Sequence, residues 1–253
     1  MIAKIKRIIS SLIIDPVMQD PRTTNLSGQV IVITGGTRGL GQAIARIALR
    51  QGASVAVISR SGADLTVPEG YDSARFISIA ANVADAAGVE SAVAAVLQRF
   101  GRIDVLINNA GQFQYSPIDE ATESDYDRVM DTNLKGVFLF TKEVVPVMKK
   151  QKSGYIINIG SKISRNTNVE ANKVLYATSK YAVEGFSFAL HKELKPFGIR
   201  VSCLMPGTLN TFVSLKSKSF LAPADLAYLI IAMIQFKIID FESMVVKSVH
   251  QNI

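Results

Sequence analysis

Tyr176 and Lys180 are the residues of this sequence whose types and spacing best suit acid–base chemistry. In the segment Tyr176-Ala177-Thr178-Ser179-Lys180 they lie four residues apart, which places them one turn apart on one face of a helix. An unassisted phenol has a pKa of about 10 and is a poor base at neutral pH. Because a nearby ammonium group favours the phenolate and lowers that pKa, the pair predicts a general acid or base at position 176.

Two further polar residues have positions that suggest a part in the same chemistry. Ser161 follows the apolar run at residues 155–159, so its hydroxyl could bond a substrate carbonyl oxygen at the end of a strand. Asn133 falls within a helical pattern, where asparagine is disfavoured. Its side chain is therefore expected either to bond its own backbone or to serve the site.

A glycine-rich turn near the N-terminus predicts a dinucleotide-binding site. The segment Thr34-Gly35-Gly36-Thr37-Arg38-Gly39-Leu40-Gly41 follows the apolar run at residues 30–33 and precedes a helical pattern at residues 43–49. Glycines at these offsets let the backbone approach a pyrophosphate closely, and the N-terminus of the following helix attracts the negative charge.

The end of the second predicted strand favours NADP(H) over NAD(H). In a dinucleotide site an acidic residue here binds the adenosine 2′-hydroxyl, whereas a cation accepts a 2′-phosphate. This strand runs into Ser59, Arg60 and Ser61, and no carboxylate occurs before Asp64. Arg60 and Arg38 could therefore hold the phosphate together, with a serine hydroxyl donating a further bond. Alternatively, Arg60 is a solvated loop charge.

The apolar pattern predicts an α/β fold in which a doubly wound parallel sheet has helices on both faces. Seven short, β-branched runs alternate with helical periodicity, which is typical of a sheet covered on both sides. The strands are expected at residues 30–33, 54–58, 76–80, 105–107, 155–159, 200–204 and 244–247, and the longer helices at 88–100, 122–150, 175–195 and 222–236. We expect one domain at residues 26–247, an N-terminal extension at 1–25 and a tail at 248–253.

The composition fits a single domain without a metal or a nucleic-acid partner. The net charge of +7 favours anionic partners, but the basic residues are scattered and no aromatic residues are interleaved with them. The single cysteine, Cys203, excludes an internal disulfide and a Cys-based metal site. It also fits a reducing compartment, so we expect a cytoplasmic protein.

Residues 1–15 are predicted to form an extra amphipathic helix. Lys4, Lys6 and Arg7 precede a short apolar run that is split by two serines and followed by Asp15-Pro16, unlike a signal peptide. This helix could pack on the domain or on a sister subunit, fray in solvent, or touch a membrane surface. No apolar stretch approaches the ~20 residues that span a bilayer.

In their order along the chain, these motifs resemble the short-chain dehydrogenase/reductase family, in its compact single-domain branch. The resemblance runs from Leu26 to Thr211, about three quarters of the chain, and is strongest to members like the 3-oxoacyl-(acyl-carrier-protein) reductases. It implies a Rossmann-like fold and a nicotinamide cofactor. It also implies that the helices at residues 122–150 and 175–195 assemble a homodimer or homotetramer.

The resemblance also implies roles for individual positions. Tyr176 would donate a proton in reduction, Lys180 would hold the nicotinamide ribose, Ser161 would orient the carbonyl, and Asn133 would help hold a water in a proton relay. Pro206 and Gly207 would wrap the nicotinamide. The full set expected to contact the cofactor is Gly35, Thr37, Arg38, Gly39, Leu40, Gly41, Ser59, Arg60, Ser61, Asn82, Val83, Asn109, Ala110, Gly111, Tyr176, Lys180, Pro206, Gly207, Thr208 and Thr211.

The chain departs from the family pattern at three places. Ser161 stands fifteen residues before Tyr176, two more than usual, whereas Ser164 stands twelve before it; we favour Ser161 because it ends a strand. Asn82 replaces the usual aspartate that contacts adenine, although an amide oxygen can still accept from the exocyclic amine. The segment at residues 212–220 is short for a substrate lid.

The predicted function is NADPH-dependent reduction of a ketone to a secondary alcohol. A 3-oxoacyl substrate, carried by an acyl carrier, would suit the basic surface. The alternatives are small or alicyclic ketones, quinones and steroid-like compounds. An enoyl reductase is less favoured, because those relatives space Tyr and Lys more widely. The alternative that is not an enzyme is an NADP-binding regulatory or scaffold subunit. The long gap between Ser161 and Tyr176 favours this alternative, whereas the presence of every expected catalytic group argues against it.

Overall fold

Seven parallel strands form one sheet in the described part of the chain. The computed structural model describes residues 25–62, 71–165, 169–209, 220–236 and 240–248. The spatial order is β3-β2-β1-β4-β5-β6-β7, and all neighbours are parallel. This confirms the predicted doubly wound sheet, and each predicted strand overlaps an observed one. The strands are β1 (Val30–Thr34), β2 (Ser54–Ser59), β3 (Phe76–Ala80), β4 (Val105–Asn108), β5 (Gly154–Ile159), β6 (Ile199–Pro206) and β7 (Ser243–Val246).

Helices connect these strands and flank the sheet. The helix predicted at residues 122–150 is two helices joined by a π-helical turn, Asp131–Lys135. Inside this turn the Asn133 side chain forms hydrogen bonds with the backbone of Gln112. The backbone of residues 131–135 departs here from the regular α-helical pattern. The helices of the described ranges are α1 (Gly39–Arg50), α2 (Ala86–Phe100), α3 (Glu123–Met130), α4 (Gly136–Gln151), α5 (Val174–Leu194) and α6 (Pro223–Gln235), with shorter 3₁₀ turns at Ser73–Arg75, Lys162–Arg165 and Lys195–Phe197.

The ends of the helices show which of them are capped. The Asp85 side chain accepts a hydrogen bond from the Gly88 N–H at 3.1 Å and caps the start of α2. The residue after this helix is Gly101, with φ of 75°, which is typical of a C-terminal cap. Helix α3 starts with a reciprocal capping box between Thr122 and Asp125. Helix α5 has no side-chain cap at its N-terminus and no acidic residue in its first turn.

Apolar side chains are buried on both faces of the sheet. In β1, Ile31 and Ile33 pack with residues of α1 and α6, whereas Val30 and Val32 pack with residues of α2 and α4 on the other face. Successive side chains of a strand point to opposite faces, so one short strand serves both layers. The carboxyl ends of the strands therefore share one edge, where parallel sheets bind their ligands.

Several predicted features lie outside the described residues, namely the N-terminal helix, Thr211, all but the last residue of the predicted lid at 212–220, and residues 249–253. The domain boundaries at residues 25 and 248 consequently stay predictions. Within the described ranges, none of the helices has the length and apolar character that a bilayer-spanning segment needs. In these same ranges, no three His, Cys, Asp or Glu side chains come together as a metal site.

Candidate active site

A cleft of about 1130 Å³ opens at the carboxyl ends of the strands. It lies beside the neighbouring strands β1 and β4, from which the chain continues in opposite directions across the sheet. Such a switch point leaves a crevice between the two connections. The walls come from the loops that follow β1 to β6 and from the first turns of α1 and α5.

The turn between β1 and α1 has the shape of a phosphate cradle. Gly35 and Gly39 have φ of 64° and 55°, a conformation that side chains disfavour. A Cβ added at Gly41 would lie 2.3 Å from the Gly35 carbonyl oxygen, so only glycine fits there. Arg38 does not cap α1 with its side chain, and Gly39 and Leu40 line the cleft. The first N–H groups of α1 therefore fit the pyrophosphate of a dinucleotide.

Hydrogen bonds fasten this turn to the segment that follows β4. The backbone N–H groups of Asn109 and Ala110 donate to Thr34 Oγ1 at 3.0 and 3.1 Å. The Asn109 side-chain amide donates to the carbonyl oxygens of Thr34 and Gly35, both at 3.0 Å. Asn109 thus holds the two sides of the crevice together, and Gly111 continues the wall towards α5.

The wall next to β2 is cationic. Arg38 and Arg60 are both exposed and both line the cleft. Ser59 Oγ accepts from the Gly62 N–H at 3.1 Å, which fixes the start of this loop. Among the described lining residues the only carboxylate is Glu170, which precedes α5. The cations on this wall could hold a phosphate group.

The loops after β3 and β6 complete the walls. Asn82 Oδ1 accepts from the Ala84 N–H at 3.2 Å, and both Asn82 and Val83 line the cleft. On the side of β6, the Gly207 N–H donates to the Val246 carbonyl oxygen at 2.7 Å. This bond to the edge strand holds the lining residues Pro206, Gly207 and Thr208 in place.

Tyr176 and Ser161 meet on the wall of the cleft. The pKa of the Tyr176 phenol is raised by burial, although its hydrogen bond with the Ser161 hydroxyl works in the opposite direction. Ser164 is buried instead: its hydroxyl donates to the Ser161 carbonyl oxygen at 3.0 Å and lies 3.3 Å from Met205 Sδ. Of the two candidate serines, Ser161 is therefore the one that lines the cleft.

Lys180 lies behind Tyr176 on the same face of α5. Its Nζ donates to the Ile159 carbonyl oxygen at 2.9 Å and is 5.9 Å from the centre of the Tyr176 ring. Burial lowers the pKa of Lys180 to about 8, against a small opposing effect of Cys203. The expectation that Lys180 lowers the pKa of Tyr176 is wrong for this arrangement, because burial of the phenol dominates and the ammonium group is directed to the strand end.

Asn133 supports the site without lining it. Its Oδ1 accepts from the Gln112 N–H at 2.7 Å, and its Nδ2 donates to the Gln112 carbonyl oxygen and to Ser179 Oγ, both at 2.9 Å. The side chain is fully buried and bonds neither its own backbone nor Lys180. Asn133 thereby joins the loop after β4 to α5, the helix that carries Tyr176 and Lys180.

Comparison with known proteins identifies the family. A model of the short chain dehydrogenase family matches residues 29–221. The chain belongs to this family. Short-chain dehydrogenases are oxidoreductases that use a nicotinamide cofactor, which agrees with the phosphate cradle and with the convergence of Tyr176, Ser161 and Lys180.

Individual relatives agree with this assignment. A 3-oxoacyl-(acyl-carrier-protein) reductase of Vibrio cholerae is 33% identical over 189 residues, covering 74% of this chain and 76% of that protein. The oxidoreductase BOA17 of Botryotinia fuckeliana is 37% identical over 180 residues, covering 71% of this chain. The chain spans only 65% of the length of BOA17.

Solved structures of other short-chain dehydrogenases share the fold. A 3-ketoacyl-(acyl-carrier-protein) reductase from Brucella melitensis, complexed with NADH, has a TM-score of 0.80 at 28% identity, covering 89% of this chain and 99% of that one. A metagenomic short-chain oxidoreductase in complex with NADP has a TM-score of 0.77 at 30% identity, covering 87% and 97%. Both forms of the cofactor therefore occur among similar structures.

The structure brings nearly all predicted site residues of this short-chain dehydrogenase to one cleft. Tyr176, Lys180 and Ser161 line it, whereas Asn133 acts from behind the wall. Of the predicted cofactor residues within the described ranges, all but Gly41 line the cleft, and Gly41 is required for packing of the turn.

Several residues that line the cleft were not predicted from the sequence, among them Phe113, Glu170 and Lys173. The Phe113 ring is 55% exposed and packs edge-on against Tyr176, with ring centres 4.8 Å apart. Lys173 Nζ lies 5.9 Å from the centre of the Phe113 ring and forms an ion pair with Glu170. Phe113 and Lys173 lie in loops that are far apart in the sequence, so no local pattern indicates this contact.

Proposed function

We propose that this short-chain dehydrogenase reduces a ketone to a secondary alcohol with NADPH. The observation that supports this best is the buried Tyr176 phenol, which lines the same cleft as Ser161 and Lys180, and this cleft begins at a phosphate cradle. The cofactor, when bound, supplies a hydride to the carbonyl carbon. Tyr176 Oη gives the carbonyl oxygen its proton, so the two-electron reduction is balanced.

The other residues hold and orient the reacting groups in this proposal. Ser161 Oγ donates to the carbonyl oxygen and stabilises the negative charge that develops there. Lys180 holds the nicotinamide ribose hydroxyls. The side chain predicted to hold a relay water, that of Asn133, instead bonds Gln112 and Ser179, so in this proposal it keeps the loop after β4 against α5. Pro206 and Gly207 close the wall around the nicotinamide.

The protonation state of Tyr176 favours the direction of reduction. Because burial raises the pKa of the phenol, Tyr176 keeps its proton at neutral pH and is ready to act as an acid. Oxidation of the alcohol needs the phenolate instead, whose fraction grows as the pH rises. At neutral pH Tyr176 is therefore in the protonation state that reduction requires.

The substrate proposed first is a 3-oxoacyl chain, and two observations support it. A similar protein is a 3-oxoacyl-(acyl-carrier-protein) reductase. The exposed Phe113 ring also offers an apolar surface next to Tyr176, on which an acyl chain could lie. Small or alicyclic ketones, quinones and steroid-like compounds remain alternatives, since they would use the same apolar surface.

The test of this function is NADPH oxidation by the purified protein, followed by absorbance, with a panel of carbonyl compounds. The panel contains a 3-oxoacyl thioester, the same acyl group on an acyl carrier protein, an alicyclic ketone and a quinone. We expect ketone-dependent oxidation with at least one compound. Tight NADPH binding without turnover of any compound would overturn the proposal and support a non-catalytic NADP-binding subunit.

Replacing Arg60 with aspartate is expected to shift the preference from NADPH towards NADH. The change removes a charge-assisted contact to the 2′-phosphate, so the ratio of kcat/KM for NADPH to that for NADH should fall about 10- to 100-fold. Arg46→Asp is the matched control, because Arg46 is exposed on α1 and is not among the residues that line the cleft. If the ratio is the same for Arg60→Asp and Arg46→Asp, the 2′-phosphate is held elsewhere.

We also propose a cytoplasmic homo-oligomer that associates through α4 and α5. These helices carry the large side chains Phe138 and Tyr181, which are 47% and 46% exposed. Burial of such side chains favours association. The free, buried thiol of Cys203 fits a reducing location. Light scattering on the purified protein measures the assembly, and a monomer at micromolar concentration would contradict it.

A further inference from the structure

A buried ion pair connects the segment after Ser161 to the helix that carries Tyr176. Arg165 is the last residue of the 3₁₀ turn Lys162–Arg165, and its Nε lies 2.5 Å from Glu184 Oε1. The Glu184 side chain is only 8% exposed, whereas that of Arg165 is 47% exposed. A buried carboxylate is costly unless it is paired, so the position of Arg165 is strongly determined by Glu184.

Glu184 continues the row of catalytic side chains along α5. It lies four residues after Lys180 and eight after Tyr176, so all three residues fall on one face of the helix. The row therefore consists of an acid, a cation and a carboxylate, of which the carboxylate does not line the cleft. Because Glu184 does not line the cleft, it does not contact the substrate directly. It lies one helical turn from the buried ammonium group of Lys180.

The other end of the ion pair is firmly linked to Ser161. The Ser161 carbonyl oxygen accepts from the Ser164 N–H at 3.1 Å and from the Ser164 hydroxyl at 3.0 Å. The Ser161 hydroxyl itself accepts from the Ile163 N–H at 3.3 Å. Because these bonds close a tight turn that ends at Arg165, a shift of Arg165 moves Ser161.

Two further contacts fix the guanidinium group of Arg165. Its Cζ lies 5.5 Å from the centre of the Phe188 ring, which belongs to α5 as well. Its Nη2 lies 3.4 Å from Ser243 Oγ at the start of β7. A planar, forked guanidinium can satisfy the carboxylate, the ring face and the hydroxyl together, which a lysine could not.

We propose that Arg165 and Glu184 are positioning residues, which hold the Ser161 hydroxyl at the correct place relative to the Tyr176 phenol. This proposal rests on the proposed reduction of a ketone. Two groups that act on one carbonyl oxygen must keep their mutual distance, and a misplacement of about 1 Å can cost about 100-fold in rate. The pair thus connects the turn bearing one group to the helix bearing the other.

The test compares Glu184→Gln in two backgrounds, the unaltered protein and Ser161→Ala. In the unaltered protein we expect kcat to fall about tenfold, with the Kd for NADPH unchanged within about twofold, since the cofactor walls are elsewhere. In the Ser161→Ala background we expect Glu184→Gln to change kcat by less than about twofold, because the group it positions is already missing. Equal fold-losses in both backgrounds would overturn the proposal, as they would show a general structural effect.

Two further variants keep the proposal testable if Glu184→Gln folds poorly. Arg165→Lys retains the positive charge but loses the forked guanidinium group. It should lower kcat as Glu184→Gln does, and this loss should likewise disappear in the Ser161→Ala background. Asp104→Asn is the control. It breaks the 2.6 Å ion pair between Arg102 and Asp104, in which the Asp104 side chain is only 14% exposed. This variant should have a lower melting temperature and an unchanged kcat. If Asp104→Asn lowers kcat as much as Arg165→Lys, the positioning role is overturned.

The same measurements separate this proposal from the proposed function. Failure of the unaltered protein to reduce any ketone would overturn both the proposed function and the positioning role. Normal reduction by the unaltered protein, together with normal kcat in Glu184→Gln and Arg165→Lys, would remove only the positioning role.

Discussion

The Tyr176→Phe variant is expected to lose about 100- to 10,000-fold in kcat for ketone reduction, the usual contribution of a positioned general acid. The substitution removes the hydroxyl that would protonate the carbonyl oxygen and keeps the ring, which packs 4.8 Å from the Phe113 ring. The cleft therefore keeps its shape, and the Kd for NADPH should stay within about twofold, because the phosphate cradle is unchanged. Steady-state NADPH oxidation and a fluorescence titration with NADPH measure the two quantities.

Tyr155→Phe is the matched control for this loss. Tyr155 is also buried, its pKa is also raised by burial, and its hydroxyl lies 2.7 Å from Ser202 Oγ. It is not among the lining residues of the cleft, so the control should lose about 1 kcal/mol of stability and keep its kcat. Unimpaired reduction by Tyr176→Phe would show that another group donates the proton.

The second large effect is expected at Ser161. Ser161→Ala removes a donor aimed at the charge that develops on the carbonyl oxygen, a change that typically costs about 100- to 1,000-fold in kcat. It also removes the hydrogen bond that opposes the raised pKa of Tyr176, so the phenol should lose its proton only at still higher pH. Rates of reduction and of alcohol oxidation, measured across the alkaline range, report both effects.

Ser164→Ala distinguishes the two serines. The Ser164 hydroxyl serves the Ser161 carbonyl oxygen, and the backbone bond between the same residues remains after the substitution. We therefore expect a loss of about 1 kcal/mol in stability and less than about tenfold in kcat. A larger loss of kcat in Ser164→Ala than in Ser161→Ala would reverse the assignment.

Most of the fold could be predicted because its signals are local. Strand β2 is apolar from Val55 to Ile58, a pattern that only a sheet covered on both faces needs. The glycine turn could also be identified, since Gly35 and Gly39 adopt a positive φ that side chains disfavour and a Cβ at Gly41 would clash with the backbone. The order of Ser161, Tyr176 and Lys180 then indicated which residues line the cleft where we propose that the reaction occurs.

The remaining features depend on contacts between distant segments. The π-helical turn around Asn133 follows from bonds to Gln112, which lies 21 residues away. The contact of Phe113 with Tyr176 depends on how the loop after β4 folds over α5. The direction of the Tyr176 pKa shift was predicted wrongly for another reason. A nearby ammonium group lowers the pKa of a phenol on an exposed helix, but burial of Tyr176 raises its pKa.

The burial of Lys180 makes the free energy of unfolding of the unliganded protein depend on pH. Its pKa is about 8 in the folded chain, below the value of 10.5 for a free lysine. Below about pH 8 both folded and unfolded chains carry the proton, and folding bears the full penalty of burying the charge, a few kcal/mol at roughly 1.4 kcal/mol per pKa unit. As the pH rises from about 8 to 10.5, the unfolded chain binds more protons than the folded chain, so the penalty fades. At neutral pH the folded chain is thus less stable than it would be without the buried charge, which is the cost of keeping a cation near Tyr176, the acid that we propose.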